Sequence, residues 1–513
     1  MSHSTPPTEA LSDRDQRGIF GSVGFTVAGQ GAAFAAGFLC MVLTTRLLGP
    51  EGYGKLAVFF MALECGALLI SWPNLGLVRF GREELAKERS FGRAFAARMA
   101  LYAGCVLVAA ALVIGFERPL AEYLGIDVQA PELLLLGYLM VNELIFALRA
   151  AFQTASSFRA YAVVSAGVRV LNLVFIALIF VLLARRATVP GIIGAQLASL
   201  GVVLVAALIW LPWPLVRKGV VEGAAVTRNA RYSWPLIFWS LASLVVNWTG
   251  LVVVKRFCPP VEVGWYAVAW QAVTVLTALQ VAAVSAVTPL LMSLAVEKRH
   301  DRLTAYVEDA LPQIAWAIAL GCVVLAAAAE AIPLLLGKAY APAVVPTQVL
   351  MAGVAFSAFA SFQEALAKAL DRVKVTAAIM AALAVLNVAL SLYLVPRLGA
   401  VGAALAATAA FALSALLYAP VVESFRALHG CGSPQRCVAY SGLLAPIFVA
   451  VAAVTLPGAL WRLTAAAAIL MVWLALARGL RIFRADTMDR LRDVRMPAPA
   501  RKVMAAFYAY MGR

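Results

Sequence analysis

Apolar runs of roughly 20 residues, separated by short polar turns, follow one another along nearly the whole chain. Wound as an α-helix, a run of that length matches the hydrocarbon thickness of a bilayer. Fourteen such runs can be read, from about 19–46 and 55–79 at the start to 438–457 and 460–478 at the end. Hydrocarbon offers backbone N–H and C=O groups no partner but each other, and the runs lack the alternation of a barrel strand, which leaves helices. The composition agrees: of 513 residues 63% are apolar and only 13% charged, and the mean hydropathy is +0.89. The expected fold class is an all-α polytopic membrane protein of about 14 transmembrane helices.

A net charge of +16 would suggest nucleic acid in a soluble protein. Here most of the Lys and Arg fall in one alternate set of flanks and loops, which includes both ends of the chain. The positive-inside rule makes that set cytoplasmic, and no nucleic-acid partner is expected. Residues 1–18 are polar, and the apolar run behind them is too long for a signal-peptide core, so the first helix is expected to remain in the mature chain. The seven cysteines are mostly scattered through apolar stretches, where Cys behaves as a small hydrophobe, and imply no disulfide framework.

The turn string "RLLGPEGYGKLAVF" (46–59) has a counterpart in "KRFCPPVEVGWYAVAW" (255–270), with Gly52 and Gly264 212 positions apart. Arg159 and Arg372 lie 213 apart, Asn172 and Asn387, each ending a "VLN", 215 apart, and "GIIGAQLAS" from Gly191 matches "GAVGAALAA" from Gly399 at 208. Four anchors in one order indicate two homologous six-helix bundles, 19–216 and 233–422, of the same orientation. A cytoplasmic segment (1–18), a linker (217–232), a loop (423–437), a helix pair (438–478) and a basic tail (479–513) complete the expected organisation. The tail strings "RIFRADTMDRLRDVR" and "ARKVMAAFYAYMGR" read as membrane-surface associated. Two such halves without a sizeable loop are the architecture of a transporter that rocks around an enclosed site.

Ionisable groups inside spans cost roughly 2.5–3.5 kcal/mol each on insertion scales, and so mark a cavity or a relay. Glu143 and Glu64 lie deep in their spans and are candidates for ion coupling. Arg149, six residues beyond Glu143, and Arg169, which shares a helix face with Asn172, are candidates for binding an anionic substrate. Arg79, Asn247 and Asn387 complete the candidate binding set, and Gln30, Gln271 and Gln280 add further polar groups. For the amides, interhelical hydrogen bonding is the competing reading. Tyr53, Trp265 and Tyr266 either anchor at the membrane interface or form an outer gate. Arg82, Arg93 and Arg98 read as snorkelling residues, and so do Glu330, Gln363, Glu364 and Lys368. His429, Cys431 and Cys437 supply only three ligands without a C-x-x-C, and no metal site or cofactor is expected. No Walker loop, metalloprotease motif or nucleophile elbow is evident, which argues against an enzyme.

"TRLLGPEGYGKLAVF", "NLGLVRFGREELAK", "LLLGKAYAPAV" and "VPRLGAVGAALAAT", in this order, resemble the Wzx-type O-antigen and exopolysaccharide flippases of the multidrug/oligosaccharidyl-lipid/polysaccharide exporter superfamily. The resemblance covers essentially the whole chain. It implies a bacterial inner-membrane protein that turns a polyprenyl-pyrophosphate-linked oligosaccharide from the cytoplasmic to the periplasmic leaflet. Membrane lipids and the polymerase and glycosyltransferases of such a pathway are the further partners implied. Guanidinium groups bind such oxyanions bidentately, which fits Arg149 and Arg169. Lipid II flippases and drug or cation antiporters of the same superfamily are the alternatives. The first would carry an Asp-Ala-Phe-rich signature after helix one, and the second typically twelve spans with acidic cavities. A membrane glycosyltransferase or polymerase would need a catalytic loop that this chain lacks, and a noncatalytic scaffold has no need of mid-membrane charge.

Overall fold

The computed structural model describes residues 13–182, 187–217, 219–234, 236–297, 299–429, 434–480 and 482–483. Among them the chain is all helix, without a strand. The described residues divide into two units, one within 13–48 and 58–240 and one within 49–57 and 241–483. The segment 49–57, expected within the first bundle, thus belongs to the second unit.

The first unit is built from α1 (Asp13–Ser71, interrupted at Gly49) apart from its stretch 49–57, α2 (Asn74–Glu88), α3 (Gly92–Gly115), α4 (Glu117–Leu124), α5 (Pro131–Thr154), α6 (Phe158–Leu182), α7 (Val189–Trp210), α8 (Trp213–Val216) and α9 (Gly223–Ser233). Its centre is α5, which packs against α2, α3, α6 and α7. The linker helix α9 lies against α2 and α3.

The second unit contains α10 (Leu236–Phe257) from Leu241 onward, α11 (Pro260–Val296), α12 (His300–Ala305), α13 (Leu311–Ala328), α14 (Ile332–Leu336), α15 (Val344–Ala369), α16 (Val373–His429), α17 (Pro434–Gly442), α18 (Leu444–Thr455) and α19 (Ala459–Gly479). Its core is α15, whose apolar window is 89% buried among α11, α13, α16 and α18. By contrast, α19 has only 6% of its window buried and presents an apolar surface suited to lipid. The helix pair expected outside the repeat is fastened to this unit. Trp316 Nε1 of α13 donates to the Val438 carbonyl at 2.7 Å, and Trp316 packs with Ala477, Ile482 and Phe483.

Ten segments among the described residues are long and apolar enough to cross a membrane. Two of them, Ala35–Glu88 and Lys374–Phe425, each hold two of the runs read in the sequence. The breaks inside them follow from residue chemistry: Gly49 (φ 66°) and Gly399 (φ 57°) take left-handed conformations that a Cβ would strain. Pro50 then restarts the first helix at a position where no amide hydrogen is required.

The internal repeat has a structural counterpart. Ala155, Ser156 and Ser157 donate to the carbonyls of Ala151, Gln153 and Phe152, and Leu370, Asp371 and Arg372 donate in the same pattern to Leu366, Lys368 and Ala367. Ser156 (φ 55°) and Asp371 (φ 58°) both sit in the left-handed region, 215 positions apart. This is the offset of Asn172 and Asn387, so the residue corresponding to Arg372 is Ser157 rather than the Arg159 expected from sequence.

Candidate functional site

In the first unit, charged side chains from α1, α3, α5 and α6 form a connected polar set. Arg169 of α6 and Glu64 of α1 are both exposed and within electrostatic reach of each other. Beside them are Cys40 and Tyr138, and the stem of Arg169 passes Gly37, where a methyl group would come 3.9 Å from Cδ. An exposed acid and base in the middle of apolar helices require water or a polar ligand to be tolerated. Glu64 in turn interacts with Glu143 of α5, which is 1% exposed. Asn142 Nδ2 donates to Glu143 Oε1 at 3.0 Å.

Arg149 is not part of this set. Its Nη2 donates to the Tyr161 hydroxyl at 3.1 Å, and the guanidinium lies 4.9 Å from the Phe146 ring and 5.0 Å from that of Tyr161, a cation–π enclosure. Its buried Nε has no hydrogen-bond partner. The basic group within electrostatic reach of Glu143 is Arg98 of α3, read from sequence as a snorkelling residue but 0% exposed. Arg98 Nε donates to Asn74 Oδ1 at 2.7 Å and Nη2 to the Ile70 carbonyl at 3.1 Å.

Asn172 and Asn387 are committed to packing. Asn172 is buried and accepts from the Ser199 hydroxyl across α6 and α7. Asn387 is buried and donates to the Val246 carbonyl at 2.9 Å across α16 and α10. Gln280 does likewise, donating to Ser357 O at 3.2 Å and to the Ser361 hydroxyl of α15. Asn247 is exposed on α10, and its Nδ2 donates to Ser243 Oγ at 3.2 Å. The side chains of Gln30, His429 and Cys437, residue Cys431 and the basic tail beyond 483 lie outside the described residues.

Arg79 is held at the surface, 4.5 Å from the Tyr232 ring of α9 and 3.9 Å from Glu83. Nearby, a cavity of about 280 Å³ is lined by Phe80, Glu83, Lys87, Arg93, Glu222 and Arg228 among others. Its arginines are spent on glutamates: Arg228 pairs with Glu83, and Arg93 with Glu84, Glu88 and Glu222. This network ties α9 to α2 and α3.

In the second unit the segment around Tyr53 meets the start of α11 backbone to backbone. A methyl group at Gly54 would come 2.6 Å from the Pro260 carbonyl oxygen, and one at Gly264 would overlap that of Pro50. Glu262 accepts from the Ala400 amide at 3.1 Å, where α16 restarts after Gly399. Trp265 Nε1 donates to the Ala339 carbonyl at 2.9 Å. Tyr266, expected as an interface anchor or a gate, is 1% exposed and stacks on Trp270, so its ring belongs to the core. Glu330, expected to snorkel, is buried against Arg462. Gln363 is buried too, donating to the Tyr440 hydroxyl at 3.1 Å.

Residues 20–295, more than half of the chain, match the family described as polysaccharide biosynthesis protein. Among solved structures, the chain is similar to the lipid II flippase MurJ in an inward closed conformation, at a TM-score of 0.64 and 14% identity, over 88% of this chain and 99% of that one. It is also similar to an inward-facing multidrug resistance MATE family transporter of the MOP superfamily, at a TM-score of 0.66 and 14% identity, over 78% of this chain and 99% of that one. No curated protein sequence matches. At such identities the two structures establish the fold, a multi-pass membrane transporter fold, while the match over 20–295 establishes more: the chain belongs to the polysaccharide biosynthesis protein family.

Proposed function

We propose that the chain is a flippase that carries polyprenyl-pyrophosphate-linked oligosaccharides from the cytoplasmic to the periplasmic leaflet of a bacterial inner membrane by alternating access. The observation that carries this reading is the exposed Arg169–Glu64 pair in mid-helix: a guanidinium placed there is suited to a phosphate oxyanion that must leave water to cross the membrane. Arg149, with its unpaired Nε and its aromatic enclosure, is the second anion contact. Glu64 and Glu143 are the groups through which an ion gradient would couple to movement. The Gly54–Gly264 contact, with Tyr53 and Trp265 beside it, is the closed form of an outer gate. Membership of the polysaccharide biosynthesis family and a fold shared with a lipid II flippase support a lipid-linked cargo.

With both termini cytoplasmic, single cysteines placed at Glu51, Gln129 or Lys338 react with an impermeant reagent from outside, and those at Glu84, Asn229 or Asp371 only from inside. For the activity, the test is deletion of the gene in its own host. Lipid-linked oligosaccharide should then accumulate on the cytoplasmic leaflet while surface polysaccharide is lost, and the wild-type gene should restore it. Unchanged surface polysaccharide in the deletion strain would overturn the proposal.

A further inference from the structure

Arg98 and Glu143 lie on adjacent, antiparallel helices whose register is fixed by one hydrogen bond. The Tyr102 hydroxyl of α3 donates to the Met140 carbonyl of α5 at 2.8 Å. Stepping one turn back along α3 reaches Arg98, and stepping nearly one turn forward along α5 reaches Glu143, so the two residues face each other. Both are buried, at 0% and 1% exposure. Each keeps one polar atom unused, Arg98 Nη1 and Glu143 Oε2, and these are complementary as donor and acceptor. The rest of Arg98 is fixed: Nε and Nη2 are held by Asn74 and Ile70, and its guanidinium lies 5.8 Å from the Tyr102 ring.

We infer that Arg98 is a positioning residue for transport: clamped by Asn74 and Ile70, it is the countercharge that holds Glu143 in place behind the Glu64–Arg169 pair. This rests on the flippase reading and adds to it the residue through which the buried carboxylate is controlled. Glu143 has one acidic neighbour, Glu64, and one basic neighbour, Arg98, so without Arg98 its charge would keep the hydrogen bond from Asn142 but would have no countercharge. A buried charge whose partner is removed is far less stable than a pair removed together.

The test uses the full chain in membranes, with thermal unfolding and polysaccharide export measured in parallel. Arg98→Met and Glu143→Gln are each expected to lower the unfolding temperature by about 5 °C or more, and the double variant to lie close to wild type. The double variant should nonetheless export little polysaccharide at normal abundance, whereas Arg98→Lys, which keeps the charge without the clamp, should retain partial export. Unfolding shifts that add in the double variant would overturn the pairing. Full export by the stable double variant would reduce the pair to a structural one and overturn the positioning role. If Arg98→Met does not accumulate, Asn74→Leu, which releases the clamp and leaves both charges, must lower export relative to abundance, and wild-type export would overturn the role equally. Because unfolding is read without any cargo, failure of the pairing is distinguishable from failure of the flippase reading.

Discussion

Arg462 of α19 grips Glu330 with two prongs, Nε at 2.6 Å from Oε1 and Nη2 at 3.1 Å from Oε2. Gln348 of α15 adds a third donor at 2.9 Å, so a carboxylate that is 6% exposed has its charge answered from two helices. The bidentate geometry fixes the last helix to the second unit in a way that apolar packing alone, with α19 so little buried, would not. Removing one partner, by Glu330→Gln or Arg462→Met, is expected to cost about 3–5 kcal/mol, and removing both far less. Unfolding of the four variants in detergent, read as a double-mutant cycle, checks this; additive losses would show that the pair contributes nothing as a pair.

The contact of Gly54 with Gly264 leaves no room for a side chain. Gly54→Ala and Gly264→Ala are expected to destabilise by about 1–3 kcal/mol through overpacking against the carbonyls of Pro260 and Pro50. Gly104 and Gly137 stand in helices with open space beside them, so Ala there is expected to be neutral or to stabilise by about 0.5–1 kcal/mol. Equal behaviour of the two pairs in a melting assay would remove the argument for a close backbone approach.

Ser156 and Asp371 hold equivalent left-handed turns without being glycine. Substitution to Val at either is expected to cost about 1–3 kcal/mol, and substitution to Gly to leave stability within about 0.5 kcal/mol or improve it. The two positions should respond alike, because the turn is repeated; a large cost at one and none at the other would count against structural equivalence of the two loops.

Hydropathy reveals the helices of this chain because each must satisfy its own backbone in hydrocarbon, and Gly and Pro reveal the breaks at Gly49–Pro50 and Gly399. Partnerships between helices were less legible. Glu143 and Arg149 are six residues apart, which on a helix of 3.6 residues per turn places them about 120° from each other, and so Arg149 turns to Tyr161 while Glu143 meets α3. Arg98 lies near the start of its span, where an arginine ordinarily snorkels to the interface. What overrides that tendency is Asn74 and Ile70, supplied by tertiary packing. Glu330 and Arg462 are 132 positions apart, and no local pattern joins them. Asn172 and Asn387 share the 215-residue offset of the turns at Ser156 and Asp371, yet both side chains are occupied within the protein. Position in a repeat records ancestry and packing as readily as ligand contact.

The proposed activity is movement of a lipid-linked oligosaccharide between leaflets by arginines set within apolar helices. Its most direct measurement is translocation of a fluorescent polyprenyl-pyrophosphate-linked oligosaccharide in phospholipid vesicles carrying the purified protein, with an impermeant quencher reporting the fraction left outside. Vesicles with the wild-type chain should protect a growing fraction of the probe, and those with equally abundant Arg169→Ala or Arg149→Ala should protect far less. Wild-type vesicles that protect no more probe than protein-free ones would contradict the flippase reading, and wild-type rates in both arginine variants would contradict the site.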